Sequence, residues 1–135
     1  MHPSLNSGLG QYRSVNAYGA ASGDRVQLIQ RMLDGALDRI ASARGHVSRH
    51  ETAAKGEAIG KAIGLIDGLR TSLDKDRGGK LAENLDALYD YMMRRLVEAN
   101  LRDDLGRLDE VAGLLDQIRS GWSAIERGPS QSAAS

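Results

Sequence analysis

Cysteine is absent from the 135 residues, which excludes disulfides, thiolate nucleophiles and zinc–thiolate or iron–sulfur sites. A small domain without such staples relies on its core and suits the cytosol. Phenylalanine is missing too, and aromatics amount to 4%, so a core must be assembled from Leu, Ile, Val, Met and Ala. The two prolines, Pro3 and Pro129, lie at the ends. A proline-free middle rich in Ala, Leu, Arg and Glu is what long helices need. Net charge is also lacking, since 18 Lys and Arg balance 18 Asp and Glu. That argues against a nucleic-acid partner and gives no electrostatic reason for docking on anionic lipid. No apolar run approaches the ~20 residues that span a bilayer, so no stable membrane insertion is expected. The N-terminal stretch lacks the basic and apolar regions of a secretory signal.

What is present is helical periodicity. Val26, Ile29, Leu33, Ala36, Ile40, Ala43 and Val47 recur at steps of three and four, the spacing of one helix face. Asp24 is placed to cap this segment, with Gln27 completing a capping box. Further stripes run Ala58, Ala62, Ile66, Leu69, Leu73, then Leu81, Leu85, Leu88, Met92, Leu96, Ala99, then Leu108, Val111, Leu115, Ile118, Trp122, Ile125. A polar stretch from His46 to Thr52 holds the first turn. Gly78-Gly79 supplies positive φ where the second helix should stop. Asn100 ends the third helix, Asp103 or Asp104 caps the fourth, and Gly128-Pro129 closes it. Acid-before-base pairs four apart, Glu57–Lys61, Asp90–Arg94, Glu98–Arg102 and Asp103–Arg107, mark solvated faces. The expected fold is all-α, an antiparallel four-helix bundle over residues 24–127 with a short or mobile N-terminal helical arm (1–23) and a disordered tail (128–135).

Catalytic signals are thin. His46 and His50 lie four apart, a spacing that places two imidazoles on one helix face, yet a metal site needs a third ligand and only Glu51 is near in sequence. A bundle with a surface histidine also fits a histidine phosphotransfer domain. In those a lysine and glycine follow the histidine by one turn, whereas Lys55-Gly56 comes two positions late after His50 and Glu51 stands beside it. No Ser/His/Asp arrangement or phosphate-binding glycine loop is present. An enzyme, a metal site or a bound cofactor is therefore not expected.

Two surpluses point to a partner. Gly56, Gly60, Gly64 and Gly68 recur every fourth residue, although each costs ~1 kcal/mol relative to alanine inside a helix. They trace a slanting strip without side chains, used either for close packing inside the bundle or as a shallow groove for a partner's helix. Beyond the core stripes there remain Ile59, Ile63, Leu65, Tyr89, Tyr91, Met93, Val97, Leu101, Leu105 and Leu114. Some widen the buried faces; as a set they exceed what four helices need and imply an external apolar surface.

Met32-Leu33-Asp34-Gly35-Ala36, Lys55-Gly56-Glu57-Ala58-Ile59, Lys61-Ala62-Ile63, Ile66-Asp67-Gly68-Leu69 and Leu73-Asp74 resemble the flagellin export chaperone family, FliS. Gly78-Gly79, Asn84-Leu85, Leu88-Tyr89-Asp90-Tyr91-Met92, Arg94-Arg95-Leu96, Ala99-Asn100-Leu101, Glu110-Val111, Leu114-Leu115 and Trp122 continue the likeness, in order, over roughly residues 9 to 126. The family's Ala-Ser-Pro at the first helix start is Gly23-Asp24-Arg25 here, which loses the proline but keeps a capping side chain.

The resemblance implies a cytoplasmic chaperone that binds the disordered C-terminal segment of flagellin, prevents premature polymerisation and passes its client to a component of the flagellar export gate. Ile59, Ile63, Tyr89, Tyr91, Met93, Leu101 and Leu105 are the expected groove-lining residues. Leu9 and Tyr12 match the family's apolar–x–x–Tyr pair in the N-terminal arm, which covers the groove without client and docks at the gate with it. The rival readings are a helical regulatory adaptor for some other amphipathic helix, and the phosphotransfer bundle.

Overall fold

The structure, a computed structural model, describes residues 22–127, with side chains from Gly23 to Trp122. Leu9, Tyr12 and the 128–135 tail lie outside the described residues. Four helices follow one another: α1 (Ser22–Ser48), α2 (Thr52–Thr71), α3 (Lys75–Arg102) and α4 (Leu105–Arg127). Helix α1 packs on α2 and α4, and α3 packs on the same two, while the backbones of the diagonal pairs stand farther apart. This is the expected all-α bundle.

The turns are built from side-chain caps and left-handed residues. His50 (φ 59°) turns the chain from α1 into α2, and Asp103 (φ 50°) turns it from α3 into α4. Asp74 caps α3 by accepting from the Arg77 backbone N–H at 3.2 Å. Asp104 does the same for α4, accepting from Arg107 at 3.1 Å. Each satisfies a backbone donor that a helix start leaves orphaned.

Two boundaries differ from the periodicity. Helix α1 already includes Ser22, so Asp24 sits in its first turn rather than at the cap, where its charge still favours the positive end of the helix dipole. Gly79 has the expected positive φ (φ 53°, ψ −130°) but lies within α3. Helix α2 has already stopped at Thr71, and Gly79 kinks the single turn Lys75–Gly78 against the rest of α3. The kink brings Gly78 close to Ala82, where a Cβ on Gly78 would lie 2.7 Å from the alanine methyl.

The core is aliphatic. Leu33, Ile40, Ile59, Ile66, Leu69, Met92, Leu96, Leu108, Val111 and Leu115 are closed off, with Tyr89 the largest buried side chain. Leu81 departs from the expected stripe. It keeps the core phase of α3 but is 66% exposed, near the start of α3 just after the kink at Gly79.

Ion pairs fasten the outside. Arg44 meets Asp109 at 2.8 Å and Arg119 meets Asp34 at 3.1 Å, joining α1 to α4, and Arg70 meets Asp86 at 2.8 Å, joining α2 to α3. Of the expected i,i+4 pairs, Glu57–Lys61 (3.2 Å) and Asp90–Arg94 (3.1 Å) form. Glu98 instead turns to Arg95 and Arg107, and Asp103 turns to Lys55. Lys55 is 5% exposed. Its ammonium donates to the Asn100 carbonyl at 2.8 Å and to Asp103 at 2.5 Å, pinning the start of α2 to the end of α3.

Candidate functional site

On α3, apolar residues recur at Tyr89, Met93, Val97 and Leu101. Steps of four overshoot a turn of 3.6 residues by about 40° each, so the stripe winds out of the core as it climbs. Tyr89 is 2% exposed, Met93 half-buried, Val97 49% and Leu101 78% exposed. The upper half of α3 therefore presents aliphatic side chains to solvent on the side facing α2.

Helix α2 supplies the other bank. Arg70 meets Asp86, and a Cβ on Gly56 would stand 3.9 Å from Asn100 Oδ1. One antiparallel register joins both contacts. By it Val97 lies level with Ile59, Met93 with half-buried Ile63, and Leu101 with Lys55. Outward of these, Gly60 and Gly64 are exposed, and a Cβ built on either meets nothing within 4 Å. Gly68, by contrast, is buried and Gly56 abuts Asn100. The glycine strip thus serves packing at its ends and leaves a bare stretch in its middle, beside the exposed apolar residues.

The predicted residues divide. Ile63, Met93 and Leu101 come together on this α2–α3 surface, while Ile59 and Tyr89 are closed into the core at 1% and 2% exposure. Both belong to stripes that leave the core at four-residue steps, and each is the buried foot of its stripe. Burial raises the Tyr89 phenol to about 12. Tyr91 is half-buried on the opposite side of α3. It donates to Glu110 Oε2 at 2.5 Å, while Arg95 donates to Oε1 at 2.8 Å and lies 5.7 Å from the Tyr91 ring centroid. These two hydrogen bonds, Tyr91 first, hold the Glu110 carboxyl below the usual range. Leu105 is half-buried against the core at the start of α4. Val97 joins this surface without being among the expected groove residues, and its four-residue spacing from Met93 and Leu101 is the sequence signal for it.

His46 and His50 lie at the turn between α1 and α2. His46 Nδ1 lies 2.7 Å from Glu51 Oε1, and Arg49 donates to the same oxygen at 2.9 Å. The His46 contact, with Arg49 second, lowers the Glu51 pKa. His50 occupies the left-handed turn rather than a helix face, which is not the placement of a phosphotransfer histidine. Among the described residues no group of three or more His, Cys, Asp or Glu side chains is arranged to hold a metal ion. No helix described is long and apolar enough to cross a membrane.

Comparison with known proteins agrees with this architecture. The family model described as flagellar protein FliS matches residues 8–129. The flagellar secretion chaperone FliSB of Pseudomonas aeruginosa is 50% identical over 116 residues, covering 85% of this chain and 92% of that protein. The flagellar secretion chaperone FliS of Salmonella typhimurium is 45% identical over 121 residues, 88% of this chain and 90% of its own. The Bacillus subtilis protein of the same name is 35% identical over 112 residues, 83% and 79% of the respective chains. With a match over nearly its whole length and relatives this similar, the chain belongs to the FliS family of flagellar secretion chaperones.

Proposed function

We propose that this protein is a cytoplasmic export chaperone that binds the disordered C-terminal segment of flagellin, keeps it from polymerising before secretion and delivers it to the flagellar export gate. The observation that carries the reading is the apolar α2–α3 surface, where Val97 and Leu101 are 49% and 78% exposed beside the bare helix at Gly60 and Gly64. A segment that folds on binding pays for its own ordering, so it needs a broad apolar contact on a preformed scaffold. An amphipathic helix laid along this surface would set its apolar side chains between Ile63, Met93, Val97 and Leu101 and its backbone against the glycines. Tyr91 and Leu105 face α4 and the core and lie outside this surface.

By the same reading, residues 1–23 act as an arm, with Leu9 and Tyr12 covering the surface in the absence of client and meeting the export gate in its presence. An arm that competes within the chain reduces apparent client affinity to the fraction of time that it leaves the surface free. Deleting residues 1–15 then tightens client binding.

Calorimetric titration with the purified flagellin C-terminal segment tests the reading. Saturable one-to-one binding with a large negative heat-capacity change is the expected result. Leu101→Glu should weaken it by about tenfold or more with little change in the thermal midpoint of the free protein, because that side chain is already 78% exposed, and Val97→Glu, at a half-exposed position, should weaken it likewise. Full affinity in both variants, or no binding by the parent chain with or without its arm, refutes it.

A further inference from the structure

A cavity of about 250 Å³ opens at the other end of the bundle, where the starts of α1 and α3 meet the ends of α2 and α4. It lies about 30 Å along α3 from Leu101. Ile29, Leu69, Leu85 and Trp122 form its apolar wall, and exposed Leu81 forms its lip. Its rim is polar: Arg25 donates from Nη2 to the Ser72 carbonyl at 3.2 Å, and Asp74 stands on the same rim. An apolar cavity of about 150 Å³ already holds a benzene ring, so this one admits an aromatic side chain.

The chain brings such a side chain to the mouth. Helix α1 starts at Ser22, so residues 1–21 join the bundle less than one turn before Arg25. Tyr18 precedes Ser22 by four residues, and on any path it stays within about 14 Å of it. Tyr12 and Leu9 lie farther up the chain and can stand about 35 Å and 45 Å away. The residues beyond α4, Gly-Pro-Ser-Gln-Ser-Ala-Ala-Ser, offer no large apolar side chain. Ile125, near the end of α4, is apolar but has no group for a polar rim. A tyrosine has both parts, a ring for the wall and a hydroxyl for the rim, and its ring face suits a guanidinium.

We propose that Tyr18 seats its ring in this cavity, against Trp122 and Leu81, with its hydroxyl at the rim of Arg25, Ser72 and Asp74. The root of the N-terminal segment is thereby anchored to the bundle. A side chain tethered this close acts at an effective concentration on the order of millimolar, so a modest contact suffices to hold it. The anchor goes beyond the chaperone reading and needs no client. It also sets how far the segment reaches. The stretch from Tyr18 to Leu9 spans about 30 Å when extended, which is the length of α3 from Leu81 to Leu101. An anchored root lets Leu9 just reach the α2–α3 surface.

The full chain, labelled in its tyrosine rings for NMR, tests the placement. The Tyr18 ring should show nuclear Overhauser contacts to the Trp122 indole and the Leu81 methyls. Tyr18→Ser should move the emission of Trp122, the sole tryptophan, to the red and lower the thermal midpoint by about 2–6 °C. Tyr18→Phe should keep both near the parent values, and so should deletion of residues 1–15, which leaves Tyr18 in place. Tyr18 contacts elsewhere, or unchanged emission and midpoint in Tyr18→Ser, overturn the proposal. Contacts from Ile125 in its place, or a deletion of residues 1–15 as damaging as Tyr18→Ser, overturn it too. Trp122 emission that depends on protein concentration would put a second copy in the cavity, with the same consequence. None of these outcomes touches the chaperone reading, which the client titration tests separately.

Discussion

Replacing Gly60 and Gly64 by alanine separates a glycine kept for the fold from one kept for a partner. Both sit inside α2, and an added Cβ meets nothing within 4 Å of either. Alanine should therefore enter without displacing a neighbour and gain the helix-propensity difference, about 0.8–1 kcal/mol at each site. The two positions share no neighbour for the new methyl groups, so the gains should add to nearly 2 kcal/mol. For a domain of this size that corresponds to a rise of roughly 3–5 °C in thermal midpoint per substitution. Gly78→Ala and Gly79→Ala provide the contrast. The first drives a methyl to 2.7 Å from Ala82, and the second puts a side chain on a backbone at φ 53°, ψ −130°, so both should destabilise by about 1–3 kcal/mol. The informative comparison is with binding. If the client's backbone approaches α2 at the bare stretch, the double variant is more stable alone yet binds flagellin's C-terminal segment less tightly, by about tenfold. Urea unfolding of the free protein and calorimetric titration of the same samples read the two quantities. Destabilisation by Gly60→Ala or Gly64→Ala would mean that the surface is not open as described. Stabilisation with unchanged affinity would remove the glycines from the binding surface.

Three further outcomes follow from charged and titratable groups. Asp103→Asn should cost about 1.5–3 kcal/mol in urea unfolding, because it takes a charged acceptor from the nearly buried Lys55 ammonium while tolerating the left-handed backbone; Lys55→Met, which removes the charge and keeps the stem, should cost less. The Tyr89 phenol is raised to about 12 in the folded chain against about 10 when unfolded. The folded state then holds its proton longer, and stability falls as pH rises through this window by up to about 2.7 kcal/mol; Tyr89→Phe should lose this alkaline sensitivity, seen in chemical unfolding at pH 9 to 11.5. Glu110 is shifted the other way by Tyr91 and Arg95, so its stabilisation is present above the ordinary carboxylate pKa and lost as pH falls through the folded value; Glu110→Gln should flatten the stability profile below about pH 4.5, and an unchanged acid limb would contradict the assignment.

The helices and most of their buried faces were legible because apolar spacing is a local property. Leu33, Ala36, Ile40 and Ala43 recur at helical steps and are all buried, as are Leu108, Val111 and Leu115. The kink at Gly79 was half legible. Positive φ at a Gly-Gly pair can be anticipated from composition, but whether it ends one helix or bends the next depends on Thr71 to Asp74 having already turned the chain. The ion pairs were less legible for a similar reason. Glu98 and Asp103 each had a partner four residues on, and both found better ones elsewhere, on Arg95 and Arg107 for the first and on the Lys55 ammonium of another helix for the second.

The proposed surface was the least legible part because its residues share a stripe with the core. Tyr89, Met93, Val97 and Leu101 are equivalent in sequence: apolar, four apart, on one helix. What separates a core tyrosine from an exposed leucine is accumulated rotation, about 120° over three steps, measured against a neighbour whose position no local pattern encodes. Once Arg70–Asp86 and Lys55–Asn100 set the register of α2 against α3, the outcome is determined. The same drift that buries Tyr89 brings Leu101 out beside a helix that has shed its own side chains at Gly60 and Gly64. A strict heptad would have kept all of these residues inward and given a closed, more stable bundle. The four-residue stripe gives up some of that burial to hold an apolar strip in water, and only a partner that covers the strip recovers it.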